Sequence, residues 1–244
     1  MQQSLKEVIR NEFDVLYSVE YISAFLKNIG FSFQKAKFVA AKADQDARDN
    51  WLRNTWPEVL SLAQNNNAMI LFGDEASFPQ WGSLSRTWSL KGHQPEIKTC
   101  GTRRAYKVFG AIDYFSGKMF SKGIDGKFNS NSYIEFIKSI LMKTKKFVIL
   151  IQDGARYHTS AIMKDFFEQN KKKLKVYQMP SYSPDYNPIE ILWKKLKTKG
   201  IHLKYFPSFQ SIIDKVNELL LYFKDNREEV LKVFGFYTKK EFAI

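Results

Sequence analysis

Apolar positions along this chain keep a helical spacing up to about residue 67 and then change to short, strand-length runs. The segment "SLKEVIRNEF" reads as a short amphipathic helix. In "SVEYISAFLKNIG" the stripe Val19, Ile22, Phe25, Leu26 and Ile29 predicts a second helix, with Ser18 as its N-cap and Gly30 as its stop. Two such helices fit a helix-turn-helix, and they fit other small helical hairpins equally well. "FSFQKAKF" follows as a wing or linker that exposes Lys35 and Lys37. "ADQDARDNWLRNTWPEVLSLAQ" then reads as a polar helix interrupted at Pro57, and the asparagines at 65–67 close the region.

From residue 68 the pattern is that of an α/β sheet. "AMILFGDEAS" is an apolar strand ending at Asp74 and Glu75, and "AYKVFGAIDYFSG" with "KMFSKGI" predicts two strands joined at Ser116–Gly117. "SNSYIEFIKSILMKT" is a helix. "KFVILIQDG" is a wholly apolar strand, buried on both faces, that ends at Asp153. "SAIMKDFFEQNKKK" is the next helix and "LKVYQMP" the next strand. In "PSYSPDYNPIEILWKKLK" three prolines in nine residues make consecutive turns, and a helix opens with Asn187 as N-cap and Pro188 at its first position. Ile189, Leu192, Trp193 and Leu196 form its apolar stripe. "SFQSIIDKVNELLLYF" and "REEVLKVF" predict C-terminal helices. The order β-β-β-α-β-α-β-α implies an α/β fold with a mixed five-stranded sheet and flanking helices, preceded by a small helical segment. The organisation expected is a partial helix-turn-helix over 1–45, a helical linker over 46–67, a catalytic domain over 68–200 and C-terminal helices over 201–244.

Composition narrows the partners. No run of 18 apolar residues and no basic-then-apolar start exist, which suggests a soluble, intracellular protein with no membrane partner. Cys100 is the only cysteine and the three histidines are scattered, so a metal here would be held by oxygen. The net charge of +13 lies almost wholly in residues 67–200, which carry 23 Lys/Arg against 11 Asp/Glu. Nucleic acid is the partner such a segment fits, and a lysine-rich solvated surface is the alternative.

Candidate chemistry collects at three acids. Asp74 and Asp153 close apolar strands, where an α/β sheet presents functional groups. Each has a plainer reading as a turn or cap residue. Glu190 falls at the third position of its helix, where it suits a capping box onto Asn187 and an ion pair with Lys194. Together, in a basic domain, the three suit a hard divalent cation. The matching reaction is two-metal phosphodiester cleavage or transfer.

The segments "LFGDEASF", "VFGAIDYFSGKMF", "FVILIQDGARYHTS" and "MPSYSPDYNPIEILWKKLK", in this order, resemble the catalytic domain of the IS630/Tc1/mariner superfamily of DDE transposases, the bacterial IS630-like branch above all. The resemblance implies an RNase H-like fold, a catalytic and metal-binding triad of Asp74, Asp153 and Glu190, and two Mg2+ or Mn2+ ions. It implies excision at inverted repeats, joining of 3′ ends to a TA target, action as a homodimer on double-stranded DNA, and a prokaryotic, cytoplasmic, nucleoid-associated setting. Glu75 and Asp185 match motif positions outside the triad, Asp185 as a turn residue, and Asp113 and Asp125 fall at hairpin turns. His158 matches a family histidine near the second aspartate, with a phosphate- or water-orienting role or a packing role. "WGSLSRTWSLKGHQPEIKTCGTRR" resembles an insertion that lies along the transposon end, which makes Arg86, Trp88, Lys91, Arg103 and Arg104 DNA-contact candidates. Core packing is the alternative for its tryptophans. Arg156, His158 and Lys194 join Lys35 and Lys37 as further candidates. Family members carry two helix-turn-helix units and this chain has room for one, so a lost start, a frameshifted product and a decayed copy all stay open. A nuclease that cuts without joining and a non-catalytic DNA-binding derivative are the rival functions.

Overall fold

The computed structural model describes residues 2–32 and 44–238. Contacts group the chain into two units, Met1–Ala41 and Lys42–Ile244. The first contains α1 (Gln2–Phe13) and α2 (Val19–Asn28). Ser18 caps α2 as expected, its hydroxyl accepting from the Tyr21 amide at 3.1 Å. The chain leaves through Gly30 at φ +89°, a conformation glycine adopts without penalty. Of the expected apolar stripe, Ile22 is buried, while Phe25 and Ile29 stay half exposed. Lys35, Lys37 and the wing expected around them lie outside the described residues.

The second unit begins with α3 (Gln45–Asn50), a π-helical turn (Trp51–Thr55) and α4 (Trp56–Asn65). Pro57 has no N–H to return to the preceding turn, and the helix widens just before it, with the Trp56 amide bonding the Trp51 carbonyl. The expected interruption is therefore a π turn. The segment expected to be a linker is not one: Trp51, Trp56, Val59, Leu60 and Ala63 belong to the main core.

The sheet comprises β1 (Met69–Pro79), β2 (Ala105–Asp113), β3 (Met119–Ile124), β4 (Val148–Gln152) and β5 (Leu174–Gln178), in the order β3-β2-β1-β4-β5. The β1–β2 and β2–β3 pairs are antiparallel, and β1–β4 and β4–β5 are parallel. This is the mixed, five-stranded sheet expected from the element order, and the RNase H-like one that the resemblance implies. The hairpin turn closes on Asp113, whose Oδ2 accepts from the Ser116 amide at 3.0 Å, so this acid is structural.

Alternation along the strands sends side chains into two cores. Ile70, Phe72 and Phe78 of β1, with Ile149 and Ile151 of β4, face α4, α7 (Pro188–Gly200), α8 (Phe209–Asp225) and the C-terminal turns. Met69 and Leu71, with Val148 and Leu150, face α5 (Ser130–Met142) and α6 (Ala161–Gln169). After α8 the chain forms α9 (Arg227–Leu231) and then tightens into a 3-10 turn (Lys232–Phe236), where one continuous helix was expected.

Asp74 does not end its strand. Parallel pairing with β4 stops at Phe72–Ile151, whereas antiparallel pairing with β2 runs on to Pro79–Ala105. Asp74 thus sits in the middle of β1, just past the point where its parallel neighbour has finished.

Candidate active site

Parity places Asp74 on the same face of the sheet as Ile70 and Phe72, the face covered by α7. Asp153, one residue beyond β4, continues the series Ile149, Ile151 and falls on that face too. Glu190 stands in the first turn of α7. All three line one cavity of about 430 Å3, with Gly154, Ala155, the Met179–Pro184 stretch and Asn187 completing its wall. Three acids from separate elements, 116 residues apart at the extremes of the sequence, converge on one cleft.

Each aspartate uses one oxygen on a protein donor. Asp74 is 7% exposed, and its Oδ2 accepts from the Trp193 indole N–H at 3.1 Å. Asp153 Oδ1 contacts His158 Nδ1 at 2.8 Å and accepts from the Ala155 amide at 3.1 Å.

The acids differ in charge behaviour. Burial pushes Asp74 well above the usual carboxylate range, and Glu190, Glu75 and Asp153 push further in the same direction. Glu190 also rises through loss of solvent around its carboxylate, with Lys197 opposing and Glu75 and Asp153 adding. Asp153 goes the other way, held down first by its contact with His158. Among the described residues no group of three or more His, Cys, Asp or Glu side chains is drawn together closely enough to hold a metal ion by itself. The arrangement is an open cleft of hard oxygen donors whose mutual repulsion a divalent cation would relieve, so the residues fit Mg2+ or Mn2+ with water completing the coordination.

The neighbours sort themselves by face. Glu75, opposite in parity to Asp74, points to the other core. There Tyr157 moderates the rise that burial imposes on it, although Glu75 Oε2 and the Tyr157 hydroxyl have no bond of good geometry. His158 is buried, its ring 4.3 Å from those of both Tyr133 and Tyr157. Its buried side chain contacts Asp153 and presents no surface to solvent, which corrects its place among the contact candidates. His158→Phe, which keeps a ring and loses the contact, is expected to raise Asp153 and move the acid limb of a cleavage pH–rate profile to higher pH. A rate loss of about tenfold should accompany it, and an unmoved profile would count against the orienting role.

The capping box expected at Glu190 is not formed. Asn187 turns inward, its Nδ2 donating to the Gly73 carbonyl at 3.4 Å, and it makes no side-chain cap of α7. Nor does Glu190 pair with Lys194, which lines a different cleft with Tyr222 and Glu229; Lys197 is the cation that acts on Glu190. Asp185 lies in a 3-10 turn, as expected of a turn residue, and is paired with Arg48.

The 81–104 segment is pinned at both ends. The Gln80 amide donates to the Arg104 carbonyl at 2.8 Å, and the Leu203 amide to the Ser83 carbonyl at 2.9 Å. Between them Arg86, Lys91 and Arg103 are exposed, and Trp88 is 100% exposed, which excludes core packing for that tryptophan. Arg104 is partly engaged over the Phe209 ring at 4.0 Å. Arg156 is exposed in the turn after Asp153.

Sequence reasoning missed two participants. Trp193 carries a helical-period signal for burial but none for its bond to Asp74. Gly110, opposite Asp74 in the β1–β2 register, leaves the space that the Trp193 ring fills.

Comparison with known proteins agrees with this geometry. Residues 69–213 match the DDE superfamily endonuclease family, and residues 2–55 match a winged helix-turn helix family. The chain is 29% identical over 153 residues to the insertion element IS630 uncharacterized 39 kDa protein of Shigella sonnei, covering 62% of this chain and 44% of that one. It is 35% identical over 147 residues to the transposable element Tc3 transposase of Caenorhabditis elegans, covering 55% and 44%. The chain thus spans less than half the length of these curated relatives. Its fold is similar to that of the Mos1 mariner paired end complex with Mn, at a TM-score of 0.64 and 15% identity over 99% of this chain and 79% of that one. With more than half its length matched to that family, the chain belongs to the DDE superfamily endonucleases.

Proposed function

We propose that this chain is a transposase catalytic chain that cuts DNA at the ends of a mobile element and joins those ends to target DNA. The observation that carries the reading is the convergence of Asp74, Asp153 and Glu190 on one open cleft, in a chain that also exposes a basic segment. Asp74, Asp153 and Glu190 would hold two Mg2+ or Mn2+ ions, which would supply Lewis-acid activation of the attacking hydroxyl or water and charge stabilisation at the leaving oxygen. His158 fixes Asp153, and Trp193 fixes Asp74. Arg86, Lys91 and Arg103 neutralise backbone phosphates without reading sequence, and Trp88 offers a face for stacking or packing on the duplex. The N-terminal unit, with its winged helix-turn helix match, recognises the inverted repeats. The protein acts on DNA as a homodimer, and the target is a TA dinucleotide.

The rival reading is a nuclease of the same fold that hydrolyses but does not join. A strand-transfer assay with pre-cut element ends, a supercoiled target and Mn2+ separates the two. Ends joined at TA sites are the expected product. Nicked target without joined ends would favour the nuclease, and DNA binding with neither product would favour a non-catalytic derivative.

A further inference from the structure

We propose that Arg48 is a positioning residue for Glu190, acting through the turn that precedes α7. The inference rests on the reading of Glu190 as a metal ligand. Arg48 lies on α3, 142 positions before Glu190, and nothing in its sequence context marks it. Its guanidinium touches three side chains of one turn. Nη2 donates to Asp185 Oδ2 at 2.6 Å and Nη1 to Oδ1 at 3.3 Å, a forked pair. Nη1 also reaches Ser183 Oγ at 3.4 Å, and the guanidinium carbon lies 4.4 Å over the Tyr186 ring. The Arg48 side chain is 16% exposed and that of Asp185 44%, so the pair is half open to solvent and its value lies in its forked geometry.

The turn matters because α7 lacks its usual cap. With Asn187 directed at Gly73, the start of the helix is held by the backbone that leads into it. That backbone is a chain of short-range bonds. The Tyr186 amide donates to the Ser183 carbonyl at 3.0 Å, the Asn187 amide to Pro184 at 3.0 Å, and the Glu190 amide to Asn187 at 3.1 Å. A displacement of Ser183 or Tyr186 passes along it to Glu190. The far side of the turn is tied by the Tyr237 hydroxyl donating to the Tyr186 carbonyl at 2.7 Å, with Trp51 Nε1 bonding that hydroxyl at 3.3 Å. Arg48 and Trp51 both come from the α3–π segment, which therefore grips the turn by side chain and by backbone. Lysine in place of Arg48 would keep the charge and lose both the fork and the ring contact.

The test follows Mn2+ binding by the full chain through its melting temperature, alongside cleavage of an element-end duplex. Arg48→Ala and Asp185→Asn are each expected to raise the Mn2+ concentration for half-maximal response about tenfold. The affinity for the duplex in EDTA should stay unchanged. The double variant should be no worse than Arg48→Ala alone, because the contact that Asp185→Asn weakens is already absent there, and Arg48→Lys should fall between the native chain and Arg48→Ala. Asp185→Asn, close in shape to the native residue, keeps the test available if Arg48→Ala folds poorly. An unchanged half-maximal concentration in both variants, even with a lower melting temperature, would make the contact merely structural and overturn the proposal. Glu190→Gln serves as the control. If it responds to Mn2+ like the native chain, the ligand reading itself fails and the Arg48 proposal falls with it. If Glu190→Gln weakens the response while the Arg48 and Asp185 variants do not, the positioning proposal alone fails.

Discussion

Asp74→Asn should melt at a higher temperature than the native chain in EDTA at pH 8, while losing both its response to Mn2+ and its cleavage activity. Asp74 is 7% exposed, and burial and three neighbouring acids hold its carboxyl well above the usual range. A group whose folded-state value is raised contributes most to stability below its unfolded value. That contribution declines as pH rises towards the folded value, because the unfolded chain gives up its proton first. Asparagine keeps the shape and can still accept from Trp193, without this decline. The gain at pH 8 is expected to be about 1–2 kcal/mol, or about 2–4 °C per kcal/mol for a unit of this size. It should shrink towards pH 5. Mn2+ reverses the order, since it binds the ionised acids of the native chain and its stabilisation grows with pH. Cleavage of an element-end duplex should fall by about three orders of magnitude, roughly 4 kcal/mol. Melting curves from pH 5 to 8, with and without Mn2+, check the stability part, and gel assays check the rest. A variant that melts lower in EDTA and keeps its Mn2+ shift would remove Asp74 from the site.

Much of this arrangement is legible in the sequence, because period and order carry it. The apolar run Val148–Ile151 identifies a central strand, and Asp153 stands just past its end, a place that a cap residue would fit as well. Asn187 and Pro188 mark the start of α7, which puts Glu190 in its first turn whether or not a capping box forms. Pairing is what the sequence hides. Asp74 looks like a strand end because the apolar run stops there, yet β2 carries β1 on to Pro79. The cap of α7 fails for a similar reason. Asn187 faces a buried carbonyl of β1 that only the folded chain brings near, and its side chain serves that interior acceptor in place of the amide donors of its own helix. Arg48 shows the same limit at longer range, since a forked contact across 137 positions leaves no local pattern. The α4 segment misleads by composition: its polar residues suggest a linker, while Trp56 and Val59 are wholly buried.

Gly110→Ala is expected to lower both stability and cleavage, and a second substitution should separate the two losses. A methyl group on Gly110 would lie 2.5 and 2.6 Å from two carbons of the Trp193 ring and 3.0 Å from Ile189 Cδ1. The ring is buried and rigid, so it must shift, at a cost of about 1–3 kcal/mol. The shift takes its N–H away from Asp74, directly opposite Gly110 in the sheet. Cleavage should then fall about 10- to 100-fold, the range seen when a partner of a metal ligand is lost. Trp193→Phe alone leaves a gap and an acceptor without its donor, a similar loss of about 1–3 kcal/mol. The two defects are opposite in volume and share one site, so they should not add. Phenylalanine is shorter and would make room for the new methyl group, and Gly110→Ala with Trp193→Phe should melt at or above either single variant. Cleavage should stay low in the double variant, because no donor to Asp74 returns. Recovery of both properties together would mean that Trp193 serves packing alone. Recovery of stability without activity would locate its contribution in the indole N–H.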